Sequence, residues 1–252
     1  MPVTRVDTQA RSAPDAPARD ASISNTEDVY TRLREMLLNG EIPPGTVLSQ
    51  VKFARDLGVS TTPLREAMRL LQAEGLLIAE HNRRARVAPL DPEDIDAVYG
   101  SRILVEALAI RLTVPGLAAE DLAQLRSDLE AMAAAGHEQD IRAWEPVHRA
   151  FHRRLISGCD AALARVIDPV VDRSERYRRT SMFGAPSRTW EIGNDEHESI
   201  VAACEARDAE LAAALLARHL ARSALTVLTK IAPEKEPVAV RTALQMVQGA
   251  GK

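Results

Sequence analysis

Along this 252-residue chain the apolar positions recur mostly three and four residues apart, the spacing of helices with one buried face. The pattern starts only after residue 23. Residues 1–23 are rich in Ala, Pro, Asp and Arg without apolar period, and read as a disordered arm. Ser24-Asn25-Thr26-Glu27 has the form of a capping box, and the helix it opens carries Val29, Leu33, Met36 and Leu37 on one face, ending near Gly40. Pro43-Pro44-Gly45 forces a turn and Val47-Leu48 gives a short extended piece. Ser49 caps a helix with Val51, Phe53, Ala54 and Leu57, stopped by Gly58. A second helix opens at once. Ser60 is placed to cap it through its hydroxyl, and Pro63 lies in its first turn, where a missing N–H costs little. Leu64, Ala67, Met68 and Leu71 face inward until Gly75. The period then switches: 76–79 and 86–90 are short β-type runs joined by His81-Asn82-Arg83-Arg84-Ala85, a hairpin with a basic tip.

Asp91-Pro92-Glu93-Asp94 is a strong helix start and marks a boundary. Beyond it the spacing predicts helices over 92–113, 118–135, 140–157, 161–182, 188–206 and 208–231, separated by Gly- or Pro-containing turns and by Arg207-Asp208. From Pro233 the chain is polar, with a short helical turn at 240–247. The fold predicted is mainly α. An N-terminal winged helix-turn-helix (24–90) precedes an all-α bundle of six or seven helices (91–231), flanked by the arm (1–23) and a C-terminal tail (232–252).

Helix, Gly turn and capped helix with arginines near its start present a recognition helix to double-stranded DNA. Arg65 and Arg69 stand one turn apart on its exposed face, with Ser60, Thr61 and Thr62 at its start near the groove. His81, Arg83, Arg84 and Arg86 place the wing against the DNA backbone or minor groove. Composition agrees: 46% apolar residues suffice for a core, and aromatics at 3% favour helix over sheet. A net charge of −4 excludes a protein that coats nucleic acid generally. Between residues 49 and 90, however, seven Lys/Arg against four acids leave +3, one basic face on an acidic protein. Cys159 and Cys204 form no CxxC motif and suit reduced thiols. No apolar run approaches a membrane span and no signal peptide leads the chain, so a cytoplasmic protein without a membrane partner is expected.

Four of the six histidines fall at telling positions in the helical part. His148 and His152 are four apart and share one helix face, while His197 and His219 lie on later helices. Such a set can converge on a Zn-like ion, although His pairs four apart also arise by chance and isolated histidines are mostly surface or satisfied core residues. His197-Glu198 is not the HExxH motif, because residue 201 is Val.

Two resemblances add to this. Residues 29–90 resemble the DNA-binding domain of the GntR regulators through Leu33-Arg34-Glu35, Gly40, Pro44-Gly45, Leu57-Gly58-Val59-Ser60, Thr62-Pro63-Leu64-Arg65-Glu66-Ala67 and Glu74-Gly75-Leu76. The chain departs from that family at Thr61, where an Arg is usual, and at Arg84, where the wing usually has Gly. Thr61 can meet a phosphate or a thymine methyl but loses bidentate guanine readout. Arg84 replaces a residue that accepts positive φ and adds a cation. Residues 94–230 resemble the FCD ligand-binding domain of the FadR subfamily. The residues carrying this are Arg102 with Glu106 and Ala109, Phe151-His152-Arg153 with Leu155, Glu196-His197 with Ile200 and Ala203, and Asp208 with His219-Leu220.

The second resemblance implies a divalent metal held by one Asp and three His. The histidines map onto His152, His197 and His219, and the Asp position holds His148. Four imidazoles make a sound site for Zn, with Ni or another ion as alternatives, and one more positive by a unit charge than the Asp-containing set. In the alternative, metal is weakened or lost and His148 only lines the pocket. An effector site is implied around Arg102, His148, His152, Asn194, His197 and His219, where a guanidinium and a metal clamp a carboxylate. Arg102 also reads as a surface ion pair with Glu106, and Arg176, Arg178 and Arg179 as solvated charge. The function expected is a metabolite-responsive transcription regulator, a homodimer on a pseudo-palindromic operator, acting as a repressor released by a small organic acid. The rivals are a DNA-binding dimer whose helical domain is structural or binds metal only, and a metal-dependent enzyme; no general base is placed by motif, so no enzyme is expected.

Overall fold

The computed structural model describes residues 25–38, 40–82, 84–182 and 187–249. The expected arm, Ser24, Arg83, the break at 184–186 and the last three residues lie outside these. The N-terminal half contains α1 (Thr26–Leu38), β1 (Val47–Ser49), α2 (Gln50–Leu57), α3 (Thr61–Ala73), β2 (Leu77–Glu80) and β3 (Arg84–Val87). Its cap falls on Asn25, one residue later than the capping box suggests: Asn25 Oδ1 accepts the Asp28 N–H at 2.8 Å. Gly58 ends α2 at φ 69°, and its N–H and that of Val59 bond back to the carbonyls of Arg55 and Ala54. A left-handed residue here lets α3 start two residues later, which only Gly does without strain. Ser60 occupies the cap of α3 with extended backbone, but its hydroxyl makes no capping bond.

The sheet order is β1-β3-β2, both pairs antiparallel, with Leu48 opposite Ala85 and Ala79 opposite Ala85 on the other side. The hairpin is tighter than the sequence suggests, because β3 begins at Arg84. The left-handed position of the wing is Asn82 at φ 61°, so Arg84 sits in ordinary strand backbone and the missing Gly costs nothing. Val29, Leu33, Leu64, Met68, Leu71, Leu77 and Val87 close a core of their own.

The second half is helical: α4 (Pro92–Thr113), a 3-10 turn (Val114–Gly116), α5 (Ala119–His137), α6 (Ile141–Leu155), α7 (Ala161–Met182), α8 (Ser187–Glu205), α9 (Ala209–Ile231) and α10 (Val238–Gly249). Asp91 caps α4 with Pro92 at its first position, as expected, accepting the Glu93 N–H at 3.0 Å. α4 is the axis, packed by α7, α9 and α10. α9 is, by length and composition, apolar enough to cross a membrane, contrary to the expectation that no run approaches a span; Ala212, Leu216, Leu220 and Val227 bury it in the bundle core.

The tail, expected to be polar with a short helical turn at 240–247, carries the longer helix α10, burying Val240, Ala243 and Val247. Its N-terminus is capped from a distance: Asp96 of α4 accepts the N–H groups of Ala239 and Val240, both at 2.9 Å. Gly100 admits the contact, since a Cβ there would lie 2.9 Å from the Ala239 carbonyl carbon.

The two halves meet along α7. Arg176 donates to the carbonyls of Gly75, after the recognition helix, and Pro89, before α4. Tyr177 and Arg173 both bond Asp94, and Arg149 pairs with Asp172 at 2.5 Å and Glu175 at 3.0 Å. Arg176 and Arg178 are buried and Arg179 is largely so, which corrects the reading of these arginines as solvated: their helix is covered by neighbouring elements that local periodicity does not reveal.

Candidate functional site

On α3, Leu64, Ala67, Met68 and Leu71 are buried, which leaves Thr61, Arg65 and Arg69 four residues apart on the exposed side, with Ser60 and Thr62 beside them. Arg65 has no ion pair among the described residues, while Arg69 makes an exposed pair with Glu66 at 3.2 Å, worth roughly 0.2–1 kcal/mol. The free Ser60 hydroxyl stands where the first-turn N–H groups of α3 attract an anion. In the wing, His81 and Arg84 are exposed. Arg86 is committed elsewhere: it pairs with Glu80 and donates to the Gly45 carbonyl at 3.0 Å, bracing the sheet.

The helical half brings the four predicted histidines together. His148 and His152 come from α6, His197 from α8 and His219 from α9. Each offers one nitrogen such that all four lie within 4.8 Å of one another. Ring centroids of His148 and His152 are 4.3 Å apart, and those of His197 and His219 are 4.5 Å apart. All four are buried, at 1–5% exposure. Burial is the largest influence on each and pushes every imidazole below its usual pKa; neighbouring histidines and arginines push His148, His152 and His197 the same way, while at His219 the Glu196 carboxylate opposes burial without overcoming it. Burial thus favours the neutral ring, the form that binds metal. His219 is oriented by a 2.7 Å contact from Nδ1 to Glu196, whose other oxygen accepts from Arg222 at 2.5 Å, so Nε2 is left for the cluster. Both nitrogens of His148, His152 and His197 have no hydrogen-bond partner.

The donor set passes the test of fit for a divalent ion. Four neutral imidazoles are good Zn or Ni ligands, and a tetrahedral Zn site with Zn–N of ~2.0–2.1 Å needs nitrogens about 3.4 Å apart, within reach by side-chain torsion.

Two cavities meet at the cluster. The larger is lined by His148, His197 and His219 with Asn194, Trp144 and Trp190. The smaller is lined by His148 and His152 with Arg102, Glu106, Ser174 and Arg178. The predicted effector residues are thus divided, Asn194 on one side and Arg102 on the other. Arg102 does pair with Glu106, at 2.5 Å, but the pair is buried rather than on the surface, and Arg102 also donates to Ser174 Oγ at 2.6 Å. Arg178 makes a bidentate pair with Glu145 and lies 5.3 Å over the Trp144 ring. Burial raises the Glu145 pKa, but Arg178 and Arg179 outweigh it and hold the carboxyl ionised. Sequence reasoning missed Trp144 and Trp190; the signal was that Trp144 lies four residues before His148, and Trp190 four before Asn194.

A winged helix-turn-helix joined to a helical bundle with a buried polar cluster defines a class: DNA-binding regulators with a ligand-binding domain. Residues 25–87 match the family model described as bacterial regulatory proteins, gntR family, and residues 97–222 match the FCD domain. The chain belongs to the GntR family of transcription regulators, with an FCD domain behind its DNA-binding domain. It is 37% identical over 129 residues to the uncharacterized HTH-type transcriptional regulator YdhC of Bacillus subtilis, covering 50% of this chain and 57% of that relative. Over 204 residues it is 28% identical to the HTH-type transcriptional repressor GlaR of Escherichia coli, covering 77% of this chain and 91% of GlaR. The solved structure of E. coli McbR/YncC shares the fold, with a TM-score of 0.71 at 23% identity over 81% of this chain and 97% of that one.

Proposed function

We propose that this regulator senses a small carboxylate through a divalent metal held by His148, His152, His197 and His219. One observation carries the reading: three buried imidazoles have all six ring nitrogens unpaired. Leaving a buried polar group without a partner costs about 1–3 kcal/mol, so a cluster of them is explained by a ligand that pairs them. A bound dication, Zn first and Ni or another ion as alternatives, supplies positive charge at the cavity wall that attracts an anion. Glu196 fixes the His219 ring, Asn194 faces the effector from the larger cavity, and Arg102, locked by Glu106 and Ser174, adds positive potential behind His152.

On the DNA side, Ser60, Thr61, Thr62, Arg65 and Arg69 enter the major groove, and His81, Arg83 and Arg84 contact the backbone at the wing. Arg86 acts indirectly, by holding the hairpin. A single recognition helix reads few base pairs, so the protein works as a homodimer on a pseudo-palindromic operator. Leu104, Leu108 and Leu112 support this, forming a stripe on α4 that is 41–55% exposed and suited to a second copy. Effector binding releases the operator; the repressor name of GlaR supports this output. Such a protein acts in the cytoplasm, where the chromosome is, and performs no catalysis.

Metal analysis of untagged protein, with gel shifts on its own promoter region in the presence and absence of Zn²⁺, tests the reading. Stoichiometric metal is expected in the wild type and none in His152→Ala. Equal metal content in the two proteins would overturn it.

A further inference from the structure

The chain contains only two tryptophans, and both line the larger cavity beside the histidines. Trp144 projects from α6 and stacks on His148, with ring centroids 4.1 Å apart and planes 26° from parallel. Trp190 projects from α8 and meets Trp144 edge-on at 5.4 Å and 87°. Its six-membered ring is seated against α5 at Gly136, where a Cβ would stand 3.3 Å from Cε3. The two indoles are 4% and 5% exposed, and neither indole N–H has an acceptor. Indole N–H groups in protein interiors normally find one.

The cations of this cavity are already used. Arg178 is held by Glu145, and Arg222 by Glu196. Charge recognition therefore falls to the histidine cluster, and the remaining wall offers indole surface with a few hydroxyl and amide groups. A sugar acid brings a hydroxyl on nearly every carbon, and each that met an indole surface would lose its water without a partner. A flat ring suits the same wall, since ring-on-ring contacts stabilise beyond the area they bury.

We infer that the cavity selects a monocyclic aromatic carboxylate, its carboxylate toward the histidine cluster and its ring against Trp144 and Trp190. A phenolic oxygen, as in a hydroxybenzoate, accepts from an indole N–H. This rests on the carboxylate-sensing reading above and narrows it to one ligand class.

Calorimetric titration of the full-length, Zn²⁺-loaded protein with benzoate, 4-hydroxybenzoate, acetate and gluconate tests it. The two aromatic acids are expected to bind at least tenfold more tightly than acetate or gluconate. Trp190→Leu should reduce that preference below threefold while leaving acetate within twofold of wild type. Trp190→Phe keeps a ring and guards against a folding defect; it should retain the preference for benzoate over acetate and lose the added affinity of 4-hydroxybenzoate. Gluconate or acetate binding as tightly as benzoate overturns the aromatic assignment and leaves carboxylate sensing intact. So does a folded Trp190→Leu protein with undiminished preference. If no carboxylate binds the loaded protein, the sensing reading itself fails.

Discussion

On the recognition helix the candidate contact residues stand in solvent: Thr61, Thr62, Arg65 and Arg69 are exposed, and the core beneath them is built from other positions of α3. In the helical half the candidate contact residues are themselves interior. The four histidines lie within the bundle, ringed by Phe151, Trp144 and buried ion pairs. DNA is a large surface that brings its own charge, so its reader needs only projecting groups backed by a rigid scaffold. A small anion must be surrounded, so its receptor keeps polar groups away from water and leaves them short of partners. Function and fold are therefore separable in the first half and entangled in the second.

The widest gap between the halves should appear in His152→Ala. Loss of one imidazole is expected to weaken Zn²⁺ binding by at least about 100-fold, beyond the ~10–100-fold typical when a group that only hydrogen-bonds a ligand is changed, and to abolish any metal-dependent rise in Tm. A competition titration with a chromophoric chelator measures it; retained affinity would break the comparison at its centre. Arg65→Ala comes next. DNA affinity should fall about 10–100-fold in gel shifts, matching roughly 1–3 kcal/mol for a base contact, while stability stays within about 0.5 kcal/mol. A large drop in Tm would mean that the DNA face is not separable from its fold.

Arg176→Met probes the seam. Without the bonds to Gly75 and Pro89, each half should keep its own ligand, but the change in DNA affinity on adding Zn²⁺ and benzoate should shrink from about tenfold to under twofold. An undiminished response would place the coupling elsewhere. The smallest effect is expected from Arg84→Ala at the wing. DNA affinity should fall a few-fold across all sequences, with the slope of log affinity against log salt reduced by about one.

The same contrast decides what could be read from sequence. The helix-turn-helix is contiguous, so Gly58, Ser60, Pro63 and the spacing of Leu64, Ala67, Met68 and Leu71 carry it locally. Local reading still failed where a bond was inferred from residue type: Ser60 takes the cap position without making the bond. In the helical half, helices were legible from period, and the histidines from the i,i+4 pair together with family resemblance. The rest depended on distant partners. α10 was read as a tail with one short helical turn because its capping group is Asp96, some 140 positions away in sequence. Arg176 and Arg178 looked solvated because neither the wing junction nor Glu145 is near them in the chain. Trp144 and Trp190 were missed because composition cannot tell an indole packed for stability from one left without an acceptor.

The placement of those two indoles makes the molecule its own optical instrument. The DNA-reading half has no tryptophan, so selectively excited emission arises wholly from the sensor, with one fluorophore stacked on a candidate metal ligand. An open-shell ion such as Ni²⁺ bound there should quench that light where closed-shell Zn²⁺ does not. Operator DNA, bound far from both rings, should change the emission only to the extent that it alters the sensor. Occupancy of one half, and its response to the other, can thus be followed without attaching a label.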